Sequence, residues 1–174
     1  MQIISVINQK GGVGKTTTVI NLAAGLSQLN KKILVIDLDP QGNATTGLGL
    51  SNMGDSSDTI YGVLNGTKEI ETVIQKTQYE NLDIITSNVD LSGLEVETAD
   101  DSNRAFILKT KLTTYLNNSR GSYDYVLIDC PPSLNLLTVM ALVSSDSLLV
   151  PLQTEFFALE GLTQLMKTIE RIKV

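Results

Sequence analysis

The sequence predicts an α/β fold, a mainly parallel sheet flanked by helices, on three observations. A short apolar run, Ile3-Ile4-Ser5-Val6-Ile7, leads through a glycine-rich loop into a helical pattern and then a second apolar run, Ile33 to Ile36. That strand, helix, strand order over a few dozen residues is the βαβ unit of a parallel sheet. Two apolar runs end on a carboxylate, one at Asp37 and one at Asp129, at the ends where a doubly wound sheet binds ligands. The chain has 174 residues, enough for one domain with a real core and too few for two, so residues 1–174 read as a single domain.

Each element follows from its local pattern. Residues 2–7 run apolar, as a buried strand does. From about Lys15, Val19, Ile20, Leu22, Ala23, Leu26 and Leu29 recur at helical spacing, and this helix ends near Asn30. Ile33 to Asp37 is the second strand. Asp37 and Asp39 then enter a loop fixed by Pro40 and Gly42. Residues 43–58, rich in Gly, Ser, Thr, Asn and Asp, predict a mobile surface loop. Short helical pieces are predicted at 59–65 and 69–76, and a third strand at Asn81 to Thr86. Residues 88–103 read as a solvated acidic face, with Glu95, Glu97, Asp100 and Asp101. Arg104 to Leu116 predicts an amphipathic helix, and Tyr123 to Asp129 a fourth strand. Pro131 and Pro132 stiffen its exit. Leu134 to Val143 predicts an apolar helix, and Ser147 to Val150 a fifth strand closed by Pro151. Gln153 to Phe157 reads as a loop, and Ala158 to Lys173 as a final amphipathic helix.

Composition narrows the chemistry. The formal net charge is −6 and the pI about 4.6, so any nucleic-acid contact would need a local basic patch, and none is evident. With one cysteine and no histidine there is no disulfide framework, no Cys/His metal site and no histidine base. Cys130 reads as a small packed thiol, since no second Cys or His is present to activate it. No apolar run reaches membrane-spanning length and no signal-type start is present, so the chain reads as cytosolic.

The densest signal is Gln9-Lys10-Gly11-Gly12-Val13-Gly14-Lys15-Thr16-Thr17. Glycines at 11, 12 and 14 let the backbone wrap closely and turn its N–H groups inward. The helix that follows adds the positive end of its macrodipole. Lys15 supplies a point charge for β- and γ-phosphates, and the Thr16 hydroxyl suits Mg²⁺. Gly14-Lys15-Thr16 fits the Walker pattern, but its first glycine position falls on Gln9, and a second lysine, Lys10, stands before Gly11. Asp129, at the end of a buried strand, has the shape of a Walker B carboxylate.

Lys10 to Thr16 resembles the deviant Walker motif of the ParA/MinD ATPases. With Asn21-Leu22-Ala23, Asp37 to Thr45, Asp124 to Pro132 and Pro151 to Leu162, the chain is similar to the ParA/Soj partition ATPases throughout. The run Pro40-Gln41-Gly42-Asn43 favours ParA/Soj over MinD, which also carries a membrane helix not seen here. A single cysteine excludes the cluster-binding branch.

The resemblance implies a P-loop NTPase three-layer sandwich that binds ATP and Mg²⁺ and hydrolyses ATP slowly. It implies nucleotide contacts from Gly11, Gly12, Val13, Gly14, Lys15, Thr16 and Thr17, with Thr17 on the α-phosphate. Thr16, Asp39 and Asp129 form the implied metal set, with Asp129 acting through water and Asp37 behind it. Asp39 is the implied orienter of the attacking water, beside Lys15. Lys10 is implied to cross an ATP-dependent homodimer to the partner's nucleotide. Further implications are a ParB-like partner, chromosome or plasmid partition, no membrane, and a cytoplasmic protein, nucleoid-associated where non-specific DNA is bound. Family members run longer, so the resemblance implies that the last strands, much of the adenine pocket and the basic DNA-binding surface are missing here. Two other functions stay open: a ParA-like ATPase that positions another cargo, and a nucleotide-gated binding module without turnover.

Overall fold

The computed structural model describes residues 1–51, 56–118, 123–154 and 158–172. The expected loop at 153–157 therefore falls partly, and Lys173 wholly, outside the described residues. The sheet is built from β1 (Gln2–Val6), β2 (Ile33–Asp37), β3 (Ile74–Lys76), β4 (Leu82–Ile85), β5 (Tyr125–Asp129) and β6 (Ser147–Leu149), in the order β3-β4-β2-β5-β1-β6. All neighbours are parallel except β3, which pairs antiparallel with β4 at one edge.

Helices cover both faces. They are α1 (Lys15–Gln28), α2 (Asn43–Gly47), α3 (Ile60–Leu64), α4 (Ile70–Val73), α5 (Leu94–Glu97), α6 (Ile107–Asn118), α7 (Leu136–Ser144) and α8 (Ala158–Ile172). The period-two alternation of strand side chains sorts the core into two layers. Ile33 and Val35 of β2, Leu127 of β5 and Leu82 and Ile84 of β4 pack with Val19 and Ala23 of α1. Leu34, Ile36, Val126 and Ile128 point the other way, toward Leu108 and Leu112 of α6 and Met140 and Ala141 of α7. The result is the expected three-layer sandwich. Every residue of β2 is buried, so both faces of its pleat carry load. Leu34→Ala is expected to destabilise the fold by about 2–5 kcal/mol, read by urea denaturation, because a fully buried site collapses incompletely.

The sequence expectations need three corrections. Residues 43–58 are not all loop: Asn43–Gly47 form a helical turn with Ala44 and Thr45 buried. The stretch 69–76 is helical only to Val73. Ile74-Gln75-Lys76 then extends, because it can pair with Ile85, Ile84 and Asp83 across a tight turn in which Asn81 has φ 62. This adds a sixth strand. The acidic stretch 88–103 is not wholly solvated: a 3-10 turn at Val89–Gly93 and then α5 bury Leu91 and Leu94 beneath their polar neighbours.

β5 lies between β1 and β2. The register pairs Val6 and Asp37 with Asp129, so three strand ends meet at one level. The chain leaves β1 for α1 there, and the loops after β2 and β5 open beside it.

Candidate functional site

The glycine loop joins β1 to α1 with two residues in left-handed backbone, Gly12 at φ 75 and Gly14 at φ 89. Gly14 is the N-cap of α1. Its carbonyl accepts the Thr18 N–H at 2.8 Å and the Thr18 hydroxyl at 2.7 Å, which starts the helix without a capping side chain. A side chain at either glycine would strain that turn.

The loop wraps a cavity of about 410 Å³ lined by Gly11, Gly12, Gly14, Lys15, Thr16, Thr17, Asp39, Asn43 and Pro132. Lys15 is buried, and its Nζ donates to the Lys10 carbonyl at 3.1 Å. Burial pulls its ammonium pKa down, against the charges of Asp129 and Asp39. Lys10 is exposed and Val13 is buried, and neither lines the cavity. A larger cavity, about 770 Å³, lies near the β3–β4 turn and the start of β5, lined in part by Tyr79, Asp83 and Tyr123. It is at the amino ends of the strands, away from the glycine loop, where this architecture does not place ligands.

Three carboxylates gather under the glycine loop. Asp37 is fully buried; its Oδ1 accepts the Asp39 N–H at 3.1 Å, and its Oδ2 accepts the Thr45 N–H and hydroxyl at 2.8 Å each. Burial raises its pKa to about 6, against those hydrogen bonds. Asp129 is also fully buried. Its Oδ2 accepts the Thr16 hydroxyl at 2.7 Å, while Oδ1 is buried and has no partner. Burial, reinforced by Asp37 and Asp39, lifts its pKa to about 7 against the Thr16 bond. Asp39 lines the cavity itself, and its Oδ1 takes the Gln41 N–H at 3.0 Å.

Among the described residues no group of three or more His, Cys, Asp or Glu could hold a metal ion. Mg²⁺ does not require one, since it keeps several waters and takes one or two protein oxygens plus phosphate oxygens. Thr16 Oγ1 and the orphaned Asp129 Oδ1 fit that smaller donor set. Crowded buried carboxylates are costly without a cation. In Asp129 the folded chain holds a proton between pH about 4 and about 7 that the unfolded chain releases, so rising pH through that window costs stability. Asp129→Asn, which keeps an acceptor for Thr16, is therefore expected to melt higher than the parent at pH 8 without metal or nucleotide. The two should converge at pH 4. Parallel melting curves at every pH would refute this.

Two side chains that sequence reasoning missed, Asn8 and Gln153, brace the loop. Asn8 Oδ1 accepts the Lys10 N–H at 3.0 Å, a turn its residue type and position could have signalled, and its Nδ2 donates to the Pro151 carbonyl at 2.8 Å. Gln153 Nε2 donates to the Gly12 carbonyl at 3.1 Å. Asn43 and Pro132 were unforeseen as cavity walls, and nothing local marks them. Cys130 is buried, its thiol pKa raised by desolvation, as expected of a packed, unreactive side chain. No described helix is long and apolar enough to cross a membrane.

Comparison with known proteins adds to this geometry. A family model described as an AAA domain matches residues 1–174. The chromosome partitioning protein ParA of Caulobacter vibrioides is 49% identical over 173 residues, covering 99% of this chain and 64% of that protein. The sporulation initiation inhibitor protein Soj of Bacillus subtilis is 45% identical over 172 residues, covering 99% of this chain and 66% of that protein. The chain thus spans just under two thirds of these relatives. Among solved structures, a cobyrinic acid a,c-diamide synthase from Mycobacterium smegmatis with bound ADP and magnesium superposes with a TM-score of 0.89 at 35% identity, over 99% of this chain and 68% of that one. Matched end to end by the family model, and sharing close to half its residues with two such relatives, the chain belongs to the AAA-domain family and, within it, to the ParA/Soj group of P-loop ATPases.

Proposed function

We propose that the chain binds ATP with Mg²⁺ and hydrolyses it slowly, and that the ATP state promotes a homodimer used in chromosome or plasmid partition. The observation that carries the reading is the orphaned Asp129 Oδ1, buried behind Thr16, whose hydroxyl bonds the same carboxylate and which lines a glycine-walled cavity with Lys15. It supports a site completed by a phosphate-bound cation.

In this reading Lys15 exchanges the Lys10 carbonyl for the β- and γ-phosphate oxygens. Backbone N–H groups from Gly11 to Thr16 surround the phosphates, and Thr17 meets the α-phosphate. Thr16, Asp39 and Asp129 hold the metal, Asp129 through water, with Asp37 fixing the loop behind. Bound Mg²⁺ supplies charge neutralisation on the phosphates. Asp39 orients the water that attacks the γ-phosphate. Phosphoryl transfer needs mostly positioning and electrostatics, so a chain without histidine is equipped for it. Lys10, exposed and not part of this cavity's wall, serves the nucleotide of a second copy. A ParB-like protein as activator, non-specific DNA as the surface, and a cytoplasmic, nucleoid-associated location complete the proposal.

The test is phosphate release from ATP with Mg²⁺ and with EDTA. Slow, metal-dependent release is expected. Tight ATP binding with no release under either condition would leave a nucleotide-gated binding module instead.

A further inference from the structure

Asp37 is the hub of a clamp that the proposed chemistry does not itself use. Its two oxygens accept from both sides of the turn between β2 and α2, the Asp39 N–H just after β2 and the Thr45 N–H and hydroxyl within α2. Between these points the Gly42 N–H returns to the Asp39 carbonyl at 2.9 Å and the Gln41 N–H to Asp39 Oδ1 at 3.0 Å. The loop that presents Asp39 to the cavity is thereby closed on itself.

Thr45 is 1% exposed and makes the clamp directional. Its Oγ1 accepts the Ser87 N–H at 3.1 Å, from the chain leaving β4, and sits 2.8 Å from Asp37 Oδ2. A hydroxyl has one proton to give. With Ser87 supplying a donor, that proton is committed to the carboxylate. One side chain therefore joins three segments: the end of β2, the first turns of α2 and the exit of β4. The five-residue α2 has no side-chain N-cap of its own, so this tertiary bond holds it where propensity does not.

We propose that Thr45 is a positioning residue for Asp39, its hydroxyl bridging Ser87 and Asp37 so that the loop carrying Asp39 stays fixed over the phosphate cavity. The inference rests on the reading of Asp39 as the group that acts on the water at the γ-phosphate. Removing the hydroxyl leaves the buried Ser87 N–H without this acceptor and Asp37 with one donor fewer, so the loop is free to shift. The Gly11–Thr17 cradle is untouched by the change.

The experiment compares Thr45→Val, which keeps the shape, with Thr45→Ser, which keeps the hydroxyl. Steady-state ATP hydrolysis is measured alongside amide hydrogen exchange of the nucleotide-free protein. In Thr45→Val, kcat is expected to fall about 10-fold or more with KM for ATP unchanged, since displacement of a positioned group is costly while phosphate binding is not affected. Exchange over residues 38–46 should quicken, with α1 and β5 unchanged. Thr45→Ser should restore both. Wild-type kcat and exchange in Thr45→Val would overturn the proposal. So would equal damage in Thr45→Ser, or a rise in KM at constant kcat. Should Thr45→Val fail to fold, Thr45→Cys, a weak donor and acceptor of similar size, carries the same expectations. If the parent releases no phosphate, the ATPase reading fails on its own and the exchange comparison alone decides the clamp.

Discussion

Asp39→Ala is expected to lower phosphate release about 100-fold or more while ATP still binds, the loss typical of removing a group that positions or deprotonates a reactant. The geometry singles this residue out from its neighbours. Asp37 is fully buried, both its oxygens already accept hydrogen bonds from Thr45 and the Asp39 backbone, and it does not line the cavity. Asp129 is buried under Thr16 and does not line the cavity. Asp39 alone of the three lines the cavity. The ATP affinity should persist because Lys15 and the backbone cradle remain. Radiolabelled or coupled phosphate assays beside nucleotide titration check both halves. Equal rates in parent and variant would sink the catalytic assignment.

Lys10→Ala is expected to abolish ATP-dependent dimers while leaving nucleotide binding by the monomer largely intact. The main chain of Lys10 is built into the loop, its N–H on Asn8 and its carbonyl on Lys15. Substitution to alanine leaves those bonds in place. Its side chain is exposed and is not part of the wall around the chain's own phosphate cavity. In the proposed reading this cation serves a phosphate held by another copy. Light scattering with a slowly hydrolysed ATP analogue reads the effect, and unchanged dimer formation would refute it.

Much of this site was legible because its chemistry depends on residue types at fixed spacing. Glycines at 11, 12 and 14, the adjacent Lys15 and Thr16, and carboxylates at two strand ends are local facts, and the backbone delivers them together once the strands are parallel. The strand order brought in what no local pattern holds: β5 between β1 and β2, with Asp37 directly beside Asp129. The misses share one cause. Asn43–Gly47, weak helix formers apart from Ala44, makes a turn held by Asp37 and by Ser87, the latter 42 positions from Thr45. Ile74–Lys76 is only three residues long and is extended by its pairing with β4. Leu91 and Leu94 are single apolar residues in acidic surroundings, buried by packing that no short window can register.

The bonds from Asn8 to Pro151 and from Gln153 to Gly12 span 143 and 141 positions of the chain. They fasten the glycine loop to the segment that follows β6. Synthesis delivers the two pieces at different times, so the cradle at residues 9–14 acquires these braces only after the sheet has grown to its far edge. The phosphate loop, though encoded before β2, is fully braced only once residues 151–153 have been made.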